Sequence, residues 1–329
     1  MEKKPLISVL TPSYNSAKFL PRLLDSVLMQ DYSNVEMIVV DDGSTDETQN
    51  AVNGYVDKFK NRGFALKYIY QPNSGQSAAI NAGLKVIEGK YLVWPDSDDF
   101  YASADALSRL VFILENNHVG MVRCQIQYLS EDGLIPIPFY ASVYKEDSVE
   151  DLFEDCLFCQ NGFWYQPGDY MIRVSDLDKC IPNRNIYVEK RAGQNWQLML
   201  PLLYKRDCYT ISDKLYNVVS RNSSHSHSAF SSYQKGIEMI NVYERTIVST
   251  LQSMLNMAEH DKKKYMRKVQ LKYLRQRYDF SIDNLRKDAA KHYFKELKNY
   301  NMVSASDYFK VLSPMAYKIL KKVKRILVR

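Results

Sequence analysis

The first hundred residues alternate short apolar runs with segments of helical periodicity. Four apolar runs predict strands, at residues 6–10, 35–40, 65–70 and 91–94, and the first of them predicts a buried strand. The segments between them predict helices, at residues 17–29, 46–60 and 76–87. Strands that alternate with helices form parallel sheets through right-handed crossovers, and near-continuous apolar strands are typical of sheets buried on both faces. The pattern therefore predicts an α/β fold with a mostly parallel sheet flanked by helices.

Beyond residue 100 this alternation loosens. The sequence predicts a helix over 104–116, a strand over 119–129, an irregular aromatic-rich stretch over 135–167 and a helix over 194–204. After residue 230 strand signals vanish, and helical, basic, Tyr-rich sequence continues to the end. We therefore predict an α/β domain over residues 1–228 and a helical C-terminal region over residues 229–329.

The composition limits the cellular compartments and the binding partners that fit this protein. No apolar stretch approaches the length that crosses a bilayer, and the first five residues do not resemble a secretory signal. The five Cys lack a scaffold pattern, which favours a reducing cytoplasm. The net charge is +6, and Lys and Arg concentrate from Lys262 onward, which indicates a tail that meets an anionic surface.

Polar residues follow three of the four predicted strands. The segments are Thr11-Pro12-Ser13-Tyr14-Asn15, Asp41-Asp42-Gly43-Ser44 and Asp96-Ser97-Asp98-Asp99. Carboxyl ends of parallel strands share the edge where such sheets bind ligands. Closely spaced carboxylates repel one another unless a cation neutralises them, and Mg2+ and Mn2+ prefer carboxylate and phosphate oxygens. The alternative is a polar loop in which Asp serves turn geometry.

These residue types together suit a nucleotide. An Asp carboxylate accepts hydrogen bonds from a nucleobase imide or a ribose hydroxyl, and a Tyr ring stacks on a base. Carboxylates with a metal hold a diphosphate. The chain has neither a Gly-x-Gly-x-x-Gly fingerprint after its first strand nor a P-loop. The sequence thus predicts a site for a nucleotide that carries a diphosphate leaving group.

The order and spacing of four segments resemble glycosyltransferase family 2. The segments run over residues 8–15, 39–46, 73–83 and 96–99. The resemblance implies a GT-A fold, a nucleotide-sugar donor, Mn2+ or Mg2+ as cofactor, and inversion at the anomeric carbon. It implies that the donor is bound by Thr11, Pro12, Tyr14, Asp41, Asp42, Ser77, Asp96, Ser97 and Asp98. Asp96 and Asp98 would form the Asp-x-Asp element at the metal, and Asp99 would hold the loop or contribute to the sugar pocket.

The position of the general base departs from this family. Many members carry an acid just before an aromatic residue at the start of a late helix, where this chain has Gln194-Asn195-Trp196. An amide cannot accept a proton at neutral pH, yet an inverting displacement needs a group that deprotonates the acceptor. Three alternatives are Glu189 as base, Asp169 as base, or Gln194 and Asn195 orienting the acceptor while another group takes the proton. We favour Glu189 or Asp169, and the segment also resembles bacterial surface-polysaccharide transferases.

Two further segments carry charge. The polar loop with Arg221, His225 and His227 reads as solvated, but in the family a late His or Arg loop closes over the donor diphosphate. The resemblance then implies that Arg221 and His225 contact the donor and that His227 binds the metal. Residues 316–329 combine an apolar helical face with Lys and Arg, which is typical of an interfacial helix on anionic lipid. The alternative is a helix packed on the domain.

We therefore predict a metal-dependent inverting hexosyltransferase, peripheral on the inner face of the membrane. It would move a sugar from a UDP-sugar to a saccharide or polyprenyl-linked acceptor in capsule or other surface-polysaccharide synthesis. The alternative is a catalytically silent nucleotide-sugar-binding subunit that partners an active transferase. We include a homo-oligomer among the partners and exclude nucleic acid, because no recognised nucleic-acid motif accompanies the basic charge.

Overall fold

The computed structural model describes residues 4–132, 134–138, 147–221 and 229–319. The chain divides into two compact units. The first comprises residues 1–222 and 249–258, and the second comprises residues 223–248 and 259–329. The predicted boundary after residue 228 adjoins residues outside the described ranges, and it stays a prediction.

A nine-stranded sheet lies at the centre of the first unit. Its strands are β1 (Ile7–Ser13), β2 (Val35–Asp41), β3 (Ala65–Tyr70), β4 (Tyr91–Val93), β5 (Phe100–Tyr101), β6 (Met121–Ser130), β7 (Ser148–Glu150), β8 (Tyr170–Arg173) and β9 (Cys208–Ser220). The order is β3-β2-β1-β4-β8-β6-β9-β5, with β7 paired to β9. Strands β1 to β4 pair in parallel, and β8 runs antiparallel to both β4 and β6. The predicted fold class, a mostly parallel sheet flanked by helices, is confirmed.

The helices of this unit are close to those predicted over the first hundred residues. They are α1 (Leu20–Leu28), α2 (Thr48–Asn53), α3 (Val56–Arg62), α4 (Gln76–Leu84), α5 (Ala106–Asn116), α6 (Phe153–Phe158), α7 (Val174–Cys180) and α8 (Asn195–Leu203). Helix α1 begins at Leu20, later than expected, because Pro21 has no N–H and fits only the first turn. The helix expected over 46–60 is two helices, since the chain breaks at Gly54 and Tyr55.

Helix α4 packs closely on the sheet because Gly83 has no side chain. A Cβ at Gly83 would lie 2.0 Å from Leu10 Cδ1, so a larger residue would have to displace the Leu10 side chain. All seven residues of β1 and of β2 are buried. The carboxyl ends of β1, β2 and β4 and the start of α4 are thereby held at one edge of a rigid sheet.

The second unit is helical in its described part, as predicted. It contains α9 (Tyr233–Ser253) up to residue 248, α10 (Glu259–Asp283), α11 (Lys287–Asn299), α12 (Ala305–Leu312) and helical residues 314–319. Its core is apolar and consists of Leu274, Tyr278, Ile282, Ala290, Leu297 and Val311. None of the helices in the described ranges has the length and apolar character that a bilayer crossing requires.

Asp307 joins α12 to α10 through buried ion pairs. Its buried carboxylate pairs with Arg275 Nη1 and Lys310 Nζ, each at 3.0 Å, and accepts the Ser304 N–H at 2.9 Å. Burial alone would raise the pKa of Asp307, but the bonds from Ser304 and the cations of Lys310 and Arg275 lower it to about 2.

We expect Asp307→Ala to lower the free energy of unfolding of this unit by about 3 kcal/mol at neutral pH, because two cations lose their buried partner. In the wild type this contribution is present above pH ~4, the ordinary pKa of Asp, and is lost as the pH falls through about 2. Urea unfolding at pH 7, followed by circular dichroism, measures the change. Equal midpoints for variant and wild type would contradict the assignment.

Candidate active site

The loops that follow β1 and β2 are tied together at the edge of the sheet. Asn15 Oδ1 accepts the Thr45 N–H at 2.8 Å, and the Asn15 N–H donates to Ser44 Oγ at 2.8 Å. Asp41, which is buried, accepts the Ser44 N–H at 2.8 Å and the Tyr68 hydroxyl at 2.6 Å. Both carboxylate oxygens of Asp41 therefore have a donor within the fold.

Asp42 fixes the turn that leads into α4. Its Oδ1 accepts from Gln71 Nε2 at 2.7 Å and from the Ser74 N–H at 2.9 Å, and its Oδ2 accepts the Gly75 N–H at 2.8 Å. Gly43 allows this turn to approach, because a Cβ there would lie 2.6 Å from the Asn73 nitrogen and its φ is +79°. Asp42 thus anchors the turn at the edge where the donor is predicted to bind.

Three carboxylates converge after β4. One oxygen from each of Asp96, Asp98 and Asp99 lies within 4.8 Å of the others. Their contacts come from the start of α4 and the end of β9: Gln76 Nε2 donates to Asp96 at 2.9 Å, Arg221 Nε lies 2.6 Å from Asp98 Oδ2, and the Val219 N–H donates to Asp99 at 2.8 Å. An all-oxygen set of this size fits a hard divalent cation such as Mn2+ or Mg2+.

Burial and mutual repulsion act on these carboxylates. Burial first, and then the negative charge of Asp98, raise the pKa of Asp96 to about 7. Gln194, Arg221 and Gln76 act in the opposite direction. Burial also raises the pKa of Asp99 well above its ordinary value. Without a cation the fold therefore disfavours ionising these carboxyls together, and a bound cation would stabilise their charged forms.

We expect the stability of the metal-free protein to fall as the pH rises through about 7, because the folded state favours protonated Asp96 while the unfolded chain ionises it near pH ~4. A metal needs the ionised carboxylate, so its binding strengthens over the same range. Melting temperatures with and without Mn2+ at pH 6 and pH 8 test this. Mn2+ should raise the melting temperature more at pH 8, and an equal gain at both pH values, or the same dependence in Asp96→Asn, would contradict it.

The remaining donor residues differ in exposure. Tyr14 is 45% exposed and can offer its ring to a base, and Ser97 Oγ lies 2.8 Å from Ser16 Oγ. Thr11 and Ser77 have no exposed surface, and their hydroxyls have no hydrogen-bond partner among the described residues. Pro12 is buried in β1. The predicted donor contacts of these residues stay predictions.

Gln194 and Asn195, at the start of α8, take different roles. Asn195 Oδ1 accepts from Trp94 Nε1 at 3.3 Å, and its Nδ2 donates to the Tyr165 carbonyl, so it joins β4 to the aromatic segment. Gln194 is 1% exposed and lies close enough to Asp96 to lower the pKa of that carboxyl. Its amide has no other hydrogen-bond partner in the described part of the chain.

Glu189 lies on a half-buried segment beside the start of α4. Its Oε2 accepts the Tyr187 hydroxyl at 3.0 Å. The segment approaches α4 closely, because a Cβ on Gly75 would lie 2.9 Å from the Lys190 carbonyl oxygen. The next residue, Gln76, contacts Asp96, and the role of Glu189 as base stays a prediction.

Two amide side chains hold this segment. Asn81 on α4 donates to the Ile186 carbonyl at 2.9 Å and accepts the Ile186 N–H at 2.8 Å. Gln197 Nε2 donates to the carbonyls of Tyr187 and Gly193, each at 3.0 Å. The side chain of Gln197 therefore joins the two ends of segment 187–193.

Asp169 directly precedes β8 and is buried. It has no exposed surface, its Oδ2 accepts from Trp164 Nε1 at 2.5 Å, and the positive charge of Arg123 acts on it. Burial raises its pKa well above the ordinary value. Nothing of this carboxyl faces solvent where an acceptor would enter, so the placement favours Glu189 over Asp169 as base.

The structure adds partners that sequence reasoning missed. Gln76 and Val219 contact the cluster, and Arg22 Nη2 donates to the Asp98 carbonyl at 3.1 Å. Gln76 lies inside segment 73–83, one of the four that resemble the family, so its contact could have been expected. The sequence of β9 carried no comparable signal for Val219. His225 and His227 lie outside the described residues.

Comparisons with known proteins agree with this architecture. Residues 8–164 match the family described as Glycosyl transferase family 2. An uncharacterized glycosyltransferase of Nostoc sp. is 28% identical over 245 residues, 72% of this chain and 74% of that protein. One from Haemophilus influenzae is 40% identical over 130 residues, 39% of this chain, and one from Rickettsia prowazekii is 42% identical over 97 residues, 30% of this chain. These matches span only 50% and 28% of the Haemophilus and Rickettsia proteins.

Two solved structures share the fold. Residues 1–349 of S. aureus TarS in complex with UDP-GlcNAc align with a TM-score of 0.61 at 21% identity, over 97% of this chain and 91% of that one. The mannosyltransferase PcManGT from Pyrobaculum calidifontis, in complex with GDP-Man and Mn2+, aligns with a TM-score of 0.53 at 15% identity, over 96% and 81% of the two chains.

Proposed function

We propose that this chain, which contains a glycosyltransferase family 2 domain with a GT-A fold, moves a sugar from a UDP-sugar to a saccharide acceptor with inversion. The observation that carries the proposal is the cluster of Asp96, Asp98 and Asp99 at the edge where the loops after β1, β2 and β4 meet. TarS binds UDP-GlcNAc on the same fold, which supports a UDP-sugar as donor.

The residues divide the reaction between them. Asp96 and Asp98 would hold Mn2+ or Mg2+, which when bound supplies positive charge for the departing diphosphate. Tyr14 stacks on the base, and Arg221 pairs with phosphate oxygens. Glu189 takes the proton of the acceptor hydroxyl. The oxygen of that hydroxyl bonds to the anomeric carbon from one face while the bond to the diphosphate breaks on the opposite face.

A second candidate is a silent subunit that binds the nucleotide-sugar for a partner transferase. The observation in its favour is Gln194, an amide where many relatives of this family carry the acid. A donor screen separates the two: release of UDP from each sugar nucleotide is measured with Mn2+ or Mg2+ and a mixture of saccharide acceptors. Metal-dependent release from one donor supports the transferase, calorimetric binding without release supports the silent subunit, and no binding contradicts the donor site.

We further propose that the C-terminal helices dock on an anionic membrane, where a polyprenyl-linked acceptor of surface-polysaccharide synthesis would lie. Phe309 and Leu312 are exposed on α12, and Met315 and Ile319 are exposed four residues apart on helical residues 314–319, after the break at Ser313. Residues 259–319 carry fifteen Lys and Arg against seven Asp and Glu. Apolar side chains beside excess positive charge match an anionic lipid surface. Residues 320–329 of the predicted tail helix lie outside the described ranges.

We expect deletion of residues 314–329 to lower binding to phosphatidylglycerol vesicles by at least about 10-fold, because it removes exposed apolar residues and six Lys and Arg. Co-sedimentation at low and high salt measures the binding. The double variant Met315→Glu/Ile319→Glu, which keeps the length, should show a similar loss. Equal retention on neutral vesicles, or on anionic vesicles after the deletion, would contradict the proposal.

A further inference from the structure

We infer that Arg221 is a built-in counter-cation of Asp98, which exchanges partners when metal and donor bind. The inference rests on the proposed donor site. Arg221 Nε lies 2.6 Å from Asp98 Oδ2, with 24% and 16% of the two side chains exposed. An ion pair at this distance occupies one of the three carboxylates that a divalent cation would use.

The path of strand β9 fixes the position of Arg221 beside the carboxylate cluster. Strand β9 pairs with β6 as far as Ser220, and Val219 N–H donates to Asp99 Oδ1 at 2.8 Å. Arg221 follows two residues later, with its guanidinium 4.8 Å from the centroid of the Phe19 ring. The end of one strand therefore contacts two neighbouring carboxylates of the cluster, once by a main-chain N–H and once by a cation.

A metal and this guanidinium compete for the same carboxylate. A divalent cation bound by Asp98 would stand beside the positive charge of Arg221, and like charges in a partly buried site disfavour each other. The donor removes the conflict, because a diphosphate offers oxygens that a guanidinium binds in bidentate fashion. Arg221 thus opposes the metal in the free protein and holds the diphosphate in the loaded one. Metal and donor are then expected to strengthen each other's binding by the same factor.

A second arginine offers a matched comparison. Arg22 Nη2 donates to the Asp98 main-chain carbonyl at 3.1 Å, and its guanidinium lies 5.1 Å from the Phe100 ring centroid. Arg22 therefore places a similar charge near the cluster without using a carboxylate oxygen. Removing it changes the local field but releases no metal ligand.

The test is a Mn2+ titration without donor, followed by the loss of the free Mn2+ signal in electron paramagnetic resonance. Arg221→Gln should bind Mn2+ between about 5- and 150-fold more tightly than the wild type, the usual range for coupled sites. Arg221→Lys, which keeps the charge, should stay near the wild type, and Arg22→Gln should gain much less than Arg221→Gln. UDP should raise the Mn2+ affinity of the wild type more than that of Arg221→Gln.

Several results would overturn the exchange. One is a Mn2+ affinity of Arg221→Gln that is equal to or weaker than that of the wild type. Another is a gain in Mn2+ affinity in Arg22→Gln as large as in Arg221→Gln, which would indicate a general charge effect. Thermal melts establish that each variant folds. If Arg221→Gln does not fold, Arg221→Lys replaces it in the test with UDP. A UDP-induced gain in Mn2+ affinity in Arg221→Lys as large as in the wild type then counts against the inference. If wild-type protein binds neither UDP nor Mn2+ in calorimetry, the proposed function itself is wrong. If the wild type binds UDP but the variants show no gain in Mn2+ affinity, only the inferred exchange of partners by Arg221 is wrong.

Discussion

Asp98→Asn is expected to lower metal-dependent release of UDP by about 10²- to 10³-fold, the loss typical when one group that stabilises developing charge is removed. The asparagine keeps the size of the side chain but halves its oxygen ligands and removes its charge. Asp98 Oδ2 already stands 2.6 Å from Arg221, so the substitution also leaves that guanidinium without its carboxylate. Initial rates over a range of Mn2+ concentrations measure the effect, and excess metal should restore part of the activity.

The matched control for this prediction is Asp31→Asn, an exposed aspartate of the same domain that is outside the carboxylate cluster. It removes one negative charge and should leave UDP release within about twofold of the wild type, as surface substitutions usually do. If Asp98→Asn kept full turnover at every Mn2+ concentration, the metal role of the cluster would be wrong.

Glu189→Gln is expected to lower transfer to the acceptor by about 10²- to 10⁴-fold, the usual contribution of a general base, while UDP-sugar binding stays unchanged. The glutamine preserves the contact with the Tyr187 hydroxyl, which lies 3.0 Å from Glu189 Oε2, so the segment keeps its place. Calorimetry with UDP and rapid-quench measurement of the transferred sugar separate binding from chemistry.

Asp169→Asn is the competing variant and should behave differently. Because Asp169 is buried against Trp164 and near the charge of Arg123, we expect a lower melting temperature with turnover per folded molecule little changed. A loss of turnover in Asp169→Asn with a wild-type rate in Glu189→Gln would reverse the assignment of the base.

The parallel half of the fold could be predicted from the sequence because each strand is a continuous apolar run that ends at Pro, Gly or Asp. Among the later strands, β6 was predicted over 119–129, but β8 and β9 gave no such signal. Strand β8 has only four residues, and β9 carries Ser212-Asp213-Lys214 in its middle, which reads as a turn. The pairing of β6 with β9 shifts register on both sides of Gln125, where Cys124 faces Ile211 and Ile126 faces Tyr216. An irregularity of this kind is decided by tertiary packing.

The same division applies to the site. The three carboxylates after β4 could be predicted to converge with the loops of β1 and β2, since parallel strands present their ends at one edge. The burial of Asp169 could not, because it depends on the antiparallel insertion of β8 between β4 and β6. For the same reason the ion pair between Asp98 and Arg221 needed the path of β9.

The closure of residues 187–193 by Gln197 has a consequence for engineering. Because Gln197 bonds the carbonyls at both ends of the segment at 3.0 Å and Asn81 bonds the residue before it, exposed side chains between those ends stand on a fixed base. Substitutions at exposed positions such as Val188 would leave in place the strands that carry the aspartates, and Glu189, the proposed base, would be kept. A library built on this frame would vary the surface offered to the acceptor while it keeps the proposed base and the carboxylate cluster.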